Sequence, residues 1–136
     1  SEDDWVLVHD AARPCVQHHD LHLLIGKLAT HQVGGLLGTP VRDTMKRTDE
    51  QGLVSATVER RHLWHALTPQ MFRYGLLKAA LKKALEDGYE VTDEASAIEH
   101  AGYQPLMIEG HADNIKITQL EDLQLAKFFL QLQGRL

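Results

Sequence analysis

Apolar positions fall along this chain in alternating strand-like and helix-like blocks. Trp5-Val6-Leu7-Val8 is a short unbroken apolar run rich in β-formers, the pattern of a strand buried on both faces of a parallel sheet. Leu21, Leu24, Ile25 and Leu28 then recur at helical spacing, predicting a helix capped by Asp20 and running to about His31. Gly34 to Pro40 reads as a second strand. Leu76, Leu77, Ala80, Leu81, Ala84 and Leu85 predict a strong helix from about Tyr74 to Asp87, stopped at Gly88. Thr92 is expected to cap the next helix, with Asp93 and Glu94 in its first turn and Gly102 at its end. Pro105 to Glu109 and Ile115 to Thr118 read as strands. A last helix, about Glu121 to Gln133, presents Leu123, Leu125, Ala126, Phe129, Leu130 and Leu132. Strands alternating with helices imply a layered α/β fold with a mostly parallel sheet.

Two stretches break this rhythm. From Arg42 to Arg61, two polar but β-capable runs, Thr44 to Arg47 and Val54 to Val58, flank Asp49-Glu50-Gln51-Gly52, which predicts a hairpin. Its apolar residues are too few to anchor it in a core, so it should project as an arm. A two-stranded ribbon is marginal alone, and a second copy of the chain is the simplest support. Leu63 to Phe72, which contains Thr68-Pro69-Gln70, is a mixed segment with no clear period.

Composition narrows the class. At 136 residues the chain is the length of one domain, and a hydrophobic fraction of 43% with 24% charged residues is that of an ordinary globular protein. A formal net charge of -5 argues against nucleic acid as a partner, because such binding needs a basic face. No apolar run is long enough to span a bilayer, and the start, Ser1-Glu2-Asp3-Asp4, is acidic where a signal peptide is basic, so a cytoplasmic location without a membrane partner is expected. The single Cys15 has no companion for a disulfide or a structural zinc site and reads as a packed residue. The chain opens without methionine and passes almost at once into a strand, as an excised piece would.

Candidate chemistry begins at the end of the first strand. Polar groups just past a strand's carboxyl end lie where open α/β sheets place their ligands, which puts Asp10 and Arg13 in position for a site. Either could instead serve locally, Asp10 as a turn cap and Arg13 in a surface ion pair. His9 reads as structural. His18 and His22 lie one helical turn apart, but no third ligand follows at a definite spacing, so a solvated helix start is preferred to zinc. Asp93 and Glu94 resemble paired acid-base carboxylates, which helix capping explains without catalysis. Arg42, Lys46, Arg47 and Arg61 read as solvated or dimer-facing. Lys116, between Ile115 and Ile117, should point away from both. No glycine-rich phosphate loop is present, since Gly34-Gly35 and Gly38 lack its spacing and its lysine.

Five segments occur in a telling order: Val8-His9-Asp10-Ala11-Ala12-Arg13-Pro14, Pro40-Val41-Arg42-Asp43-Thr44-Met45-Lys46, Leu63-Trp64-His65-Ala66-Leu67-Thr68-Pro69-Gln70, Thr92-Asp93-Glu94-Ala95-Ser96 and Asp113-Asn114-Ile115-Lys116-Ile117-Thr118. Together they resemble the 2-C-methyl-D-erythritol 4-phosphate cytidylyltransferases of the non-mevalonate isoprenoid pathway. The resemblance implies a Rossmann-like nucleotidyltransferase fold and transfer of CMP from CTP to methylerythritol phosphate. It makes Asp10 a ligand of the substrate hydroxyls, Arg13 a cation near the phosphate end, and Lys116 a residue that positions the phosphate for attack. Thr44 and Arg60 match positions that reach the acceptor in the neighbouring subunit of a homodimer, with Arg61 the adjacent alternative to Arg60.

The resemblance also implies Mg²⁺, held chiefly by the CTP phosphates. The family's pattern opens with a glycine-rich loop whose arginine and lysine hold the triphosphate. That pattern is not among these 136 residues, so the chain alone is expected to be inactive. A ribitol 5-phosphate-type cytidylyltransferase is the enzymatic alternative, disfavoured by Ala11-Ala12 and Trp64-His65-Ala66-Leu67. A non-catalytic dimerisation or sugar-phosphate-binding module is the other.

Overall fold

The computed structural model describes residues 1–136. In chain order the elements are β1 (Trp5–Val8), α1 (His18–Leu28), β2 (Gly34–Pro40), β3 (Met45–Thr48), β4 (Val54–Val58), β5 (Trp64–Arg73), α2 (Tyr74–Glu86), α3 (Glu94–His100), β6 (Leu106–Glu109) and α4 (Leu120–Leu132). A four-stranded sheet has the order β1-β5-β2-β6, and β3-β4 form a separate two-stranded sheet. No helix is long and apolar enough to cross a membrane.

The mostly parallel sheet holds as a statement of direction. β2 and β6 are paired in parallel, β5 runs antiparallel to both of its neighbours β1 and β2, and so β1, β2 and β6 all point one way. The reversed strand is the segment whose pattern looked mixed. Pro69 disguises it, because proline removes a ladder donor and is disfavoured inside sheets. The structure accommodates it in a bulge: Leu36 faces Gln70 but Gly38 faces Ala66, so Leu67, Thr68 and Pro69 stand opposite Leu37 alone. On the other side the β1 register ends at Val8 facing Gln70. Pro69 therefore interrupts no ladder bond.

Alternation along β2 and β5 sorts side chains to two cores. Leu36 and Phe72 pack with Leu77, Ala80, Ala84, Ala97 and Ile98 beneath α2 and α3. Leu37, Met71 and Ile108 pack with Val16, Leu24 and Leu28 beneath α1. Truncating fully buried Phe72 to alanine would cost about 3–5 kcal/mol. Gly35 is required where β6 comes close, since a Cβ there would lie 2.1 Å from the Leu106 carbonyl oxygen. Helix α4 joins the α1 side through buried Ala126, whose carbonyl accepts the Cys15 thiol at 3.5 Å. Burial raises that thiol's pKa, as suits a packed residue.

Several local expectations are corrected. β1 is an edge strand paired only with β5, and Leu7 is exposed, so it is not buried on both faces. Asp20 is not a cap: α1 starts at His18 with Gln17 at the cap position, and the fully buried Asp20 carboxylate accepts the His111 main-chain N–H at 3.0 Å and pairs with His111 Nδ1 at 2.8 Å. The α3 cap is Asp93 rather than Thr92; its Oδ1 accepts the Ser96 N–H at 2.8 Å. Ile115 to Thr118 form no strand. The arm is as expected, with β3 exposed throughout and β4 exposed but for Val58.

Candidate functional site

The chain leaves β1 at Val8 and turns immediately. Asp10 Oδ1 accepts the Ala12 N–H at 2.9 Å, closing the turn on itself, and the Asp10 N–H donates to Thr68 Oγ1 at 3.0 Å. His9 links the same two places: Nδ1 lies 2.9 Å from Thr68 Oγ1 and Nε2 lies 2.8 Å from the Arg13 carbonyl oxygen. These contacts fit the structural reading of His9, which also lines the cleft that Asp10 faces. Thr68 is available for these bonds because it sits in the β5 bulge, off the ladder, which is a common use of bulges beside functional sites.

Onto this turn the segment after β6 brings its cation. Lys116 Nζ is 2.9 Å from Asp10 Oδ2, both groups partly exposed, and the Ile117 N–H donates to the Ala12 carbonyl at 2.8 Å. Arg13 Nη1 donates to the Asn114 carbonyl at 2.7 Å. The Ala12 N–H and then Lys116 hold the Asp10 carboxyl below the usual carboxylate range, while burial lowers the pKa of Arg13 against the pull of Asp10. Asp10, Arg13, Thr68, Thr92, Glu94 and Lys116 line an open cleft of about 610 Å³. The two cations beside the Asp10 carboxylate suit a phosphate whose attached polyol offers hydroxyl donors, with Asp93 and Glu94 lining the same cleft.

The cleft's far wall is built by Gln70. It is 1% exposed and its amide is used at both ends: Nε2 donates to the Leu67 carbonyl at 3.2 Å and to Asp93 Oδ2 at 3.0 Å, and Oε1 accepts the Ala95 N–H at 2.8 Å. The start of α3, with Thr92 and Glu94, is thereby docked on β5. The capping reading of Asp93 and Glu94 therefore accounts for Asp93.

Of the five expected site residues, the structure brings together Asp10, Arg13 and Lys116. Thr44 and Arg60 lie elsewhere, exposed at the root of the arm, where Arg60 Nη1 donates to the Arg42 carbonyl and closes the two legs. Neither lines the cleft. A somewhat larger cleft of about 670 Å³ opens near that root, lined by Arg42, Asp43, His65, Glu109 and His111, but it includes none of the five. No group of three or more His, Cys, Asp or Glu converges to hold a metal ion. Sequence reading missed Thr68, Gln70 and Asn114 as builders of the site; each stands inside a segment that marked the resemblance, which was the available signal.

The sequence matches the family pattern of the 2-C-methyl-D-erythritol 4-phosphate cytidylyltransferases over residues 1–132. It is 57% identical over 130 residues to the 2-C-methyl-D-erythritol 4-phosphate cytidylyltransferase of Serratia proteamaculans, covering 95% of this chain and 55% of the relative. With the enzyme of Shewanella piezotolerans it shares 58% identity over 134 residues, covering 98% and 58%. The crystal structure of the Francisella tularensis enzyme superposes with a TM-score of 0.89 at 38% identity, over 96% of this chain and 61% of that one. The chain spans a little over half the length of these curated relatives. It belongs to the 2-C-methyl-D-erythritol 4-phosphate cytidylyltransferase family.

Proposed function

We propose that these 136 residues form one domain's acceptor-holding portion in a CTP-dependent cytidylyltransferase that acts in the cytoplasm as a homodimer. A phosphate oxygen of methylerythritol phosphate attacks the α-phosphorus of CTP; the new O–P bond forms as the bond to pyrophosphate breaks, giving 4-diphosphocytidyl-2-C-methyl-D-erythritol. Such transfer depends on positioning and charge stabilisation more than on protein nucleophiles. The observation that carries this reading is the Asp10–Lys116 pair beside Arg13 in one cleft, at the positions the family resemblance marks. Asp10 takes hydroxyls of the acceptor, and Lys116 and Arg13 hold its phosphate. In this reading Mg²⁺ rides on the CTP phosphates, and no step is assigned to it.

The placement of Thr44 and Arg60 outside the cleft supports exchange of arms: each arm serves the partner's cleft. Subunit mixing tests both points, in a protein of the relatives' full length that contains these residues. Lys116→Ala and Arg60→Ala homodimers should each be nearly inactive with CTP and methylerythritol phosphate. Mixed dimers carrying one of each should regain activity, because one of their two sites has both residues intact. No regain after mixing would defeat arm exchange, and Arg61→Ala weakening acceptor binding in place of Arg60→Ala would move the contact by one residue. Preferential turnover of ribitol 5-phosphate would overturn the acceptor.

A further inference from the structure

The segment that carries Lys116 lacks the ladder a strand would have; besides the Ile117 N–H bond to the Ala12 carbonyl, side chains hold it to its surroundings. At its start, Asp113 Oδ2 accepts from Gln17 Nε2 at 2.8 Å and Gln133 Nε2 at 2.9 Å, pinning it to the cap of α1 and the end of α4. The next residue, Asn114, is 1% exposed. Its Nδ2 donates to the Thr68 carbonyl at 2.8 Å, and its own carbonyl takes Arg13 Nη1 at 2.7 Å. Thr68 in turn receives the Asp10 N–H at Oγ1. One buried amide therefore stands between the β5 bulge, which orients Asp10, and the segment that delivers Lys116 and supports Arg13.

A packing role does not account for this side chain. Asn114 Oδ1 is buried without a partner. An apolar residue of the same size would avoid that unpaired acceptor, and unpaired buried polar atoms are rare enough to call for a reason. What the amide supplies is one hydrogen bond, from Nδ2, to an off-ladder carbonyl. That bond fixes the distance between β5 and the segment two residues ahead of Lys116.

We propose that Asn114 is a positioning residue for cytidylyl transfer, acting through Lys116 and Arg13 to hold both cations at the spacing the acceptor phosphate requires. The inference rests on the proposed function above. Aspartate at this position has the same shape but sets a carboxylate oxygen against the Thr68 carbonyl, and alanine leaves that carbonyl without its donor. Either change lets the segment shift, and misplacement of a catalytic group by about 1 Å costs on the order of 10²-fold in rate.

The experiment is a double-mutant cycle in a protein of the relatives' full length, with Asn114→Ala and Asn114→Asp each made alone and combined with Lys116→Ala. Thermal melting is recorded for every variant. Alone, each Asn114 variant should lower kcat/KM for methylerythritol phosphate by at least about tenfold, with KM for CTP unchanged within about twofold. Combined with Lys116→Ala, each should lower it further by clearly less than it does alone, because only the part of its action that runs through Arg13 is left.

A full additional loss in the Lys116→Ala background overturns the proposal, as does a loss confined to KM for CTP. Failure of both Asn114 variants to fold also overturns it, since Asn114 would then serve the fold as a whole. If Lys116→Ala alone leaves turnover unchanged, it is the proposed function that fails. That result is distinct from every outcome at Asn114.

Discussion

The cleft and the arm hold their expected acceptor contacts in opposite ways. In the cleft, Asp10, Arg13 and Lys116 come from two distant stretches of chain and are fastened to one another and to the sheet by short hydrogen bonds. In the arm, Thr44 and Arg60 flank a two-stranded ribbon whose Leu53 and Val54 are 67% and 62% exposed. The cleft is prepared within one chain. The arm satisfies its own ladder and leaves its faces uncovered, and a two-stranded ribbon of this kind is marginal alone.

The largest expected effect lies on the cleft side. In a full-length protein, Lys116→Ala should reduce kcat by about 10²–10³-fold, the loss typical of removing one preorganised charge stabiliser. Its melting temperature should change little, because partly exposed ion pairs contribute about 0–1 kcal/mol. A large drop in melting temperature with activity retained would make Lys116 a structural residue and erase the contrast.

A matched pair of stability measurements comes next. Gln70→Leu removes the amide that docks α3 and leaves the Ala95 N–H unpaired in the interior, which should cost about 1–3 kcal/mol by denaturant unfolding. Leu53→Ser, at the arm's tip, should stay within about 0.5 kcal/mol. A Leu53→Ser effect as large as that of Gln70→Leu would mean that the arm is already supported within one chain.

The smallest effect is on titration. Since the folded-state pKa of Asp10 is depressed, its contribution to stability is fully present above the ordinary carboxylate range and is lost as pH falls through its folded value, below about pH 4. Lys116→Met should raise the Asp10 pKa but leave it below the ordinary value, because the Ala12 N–H is the larger cause. Carboxylate carbon shifts followed by NMR against pH would show this, and a return to the ordinary value would transfer the credit to Lys116.

Periodicity made most of the fold legible. The helices α1, α2 and α4 show their apolar spacing plainly, and the Arg42 to Arg61 arm declared itself by its lack of apolar residues. β5 was hidden because proline inside a central strand reads as a breaker, and only the bulge opposite Leu37 makes it acceptable. Asp20 looked like a cap because a short acidic residue ahead of a helical run usually is one; its true partner, His111, lies far along the chain. Asp10, Arg13 and Lys116 could be named from motifs, but their supports could not. Thr68, Gln70 and Asn114 work through contacts between segments distant in sequence, which no local pattern encodes.

The missing ladder between Asp113 and Thr118 bears on how this protein could be redesigned. A sequence chosen to preserve every helix, strand and buried apolar residue would be free to replace the Asn114 amide and the Gln17 and Gln133 carboxamides. Such a protein would keep its sheet and both cores, with only the Ile117 N–H to Ala12 bond and the Arg13 bond to the main-chain carbonyl at 114 left to guide Lys116 toward Asp10.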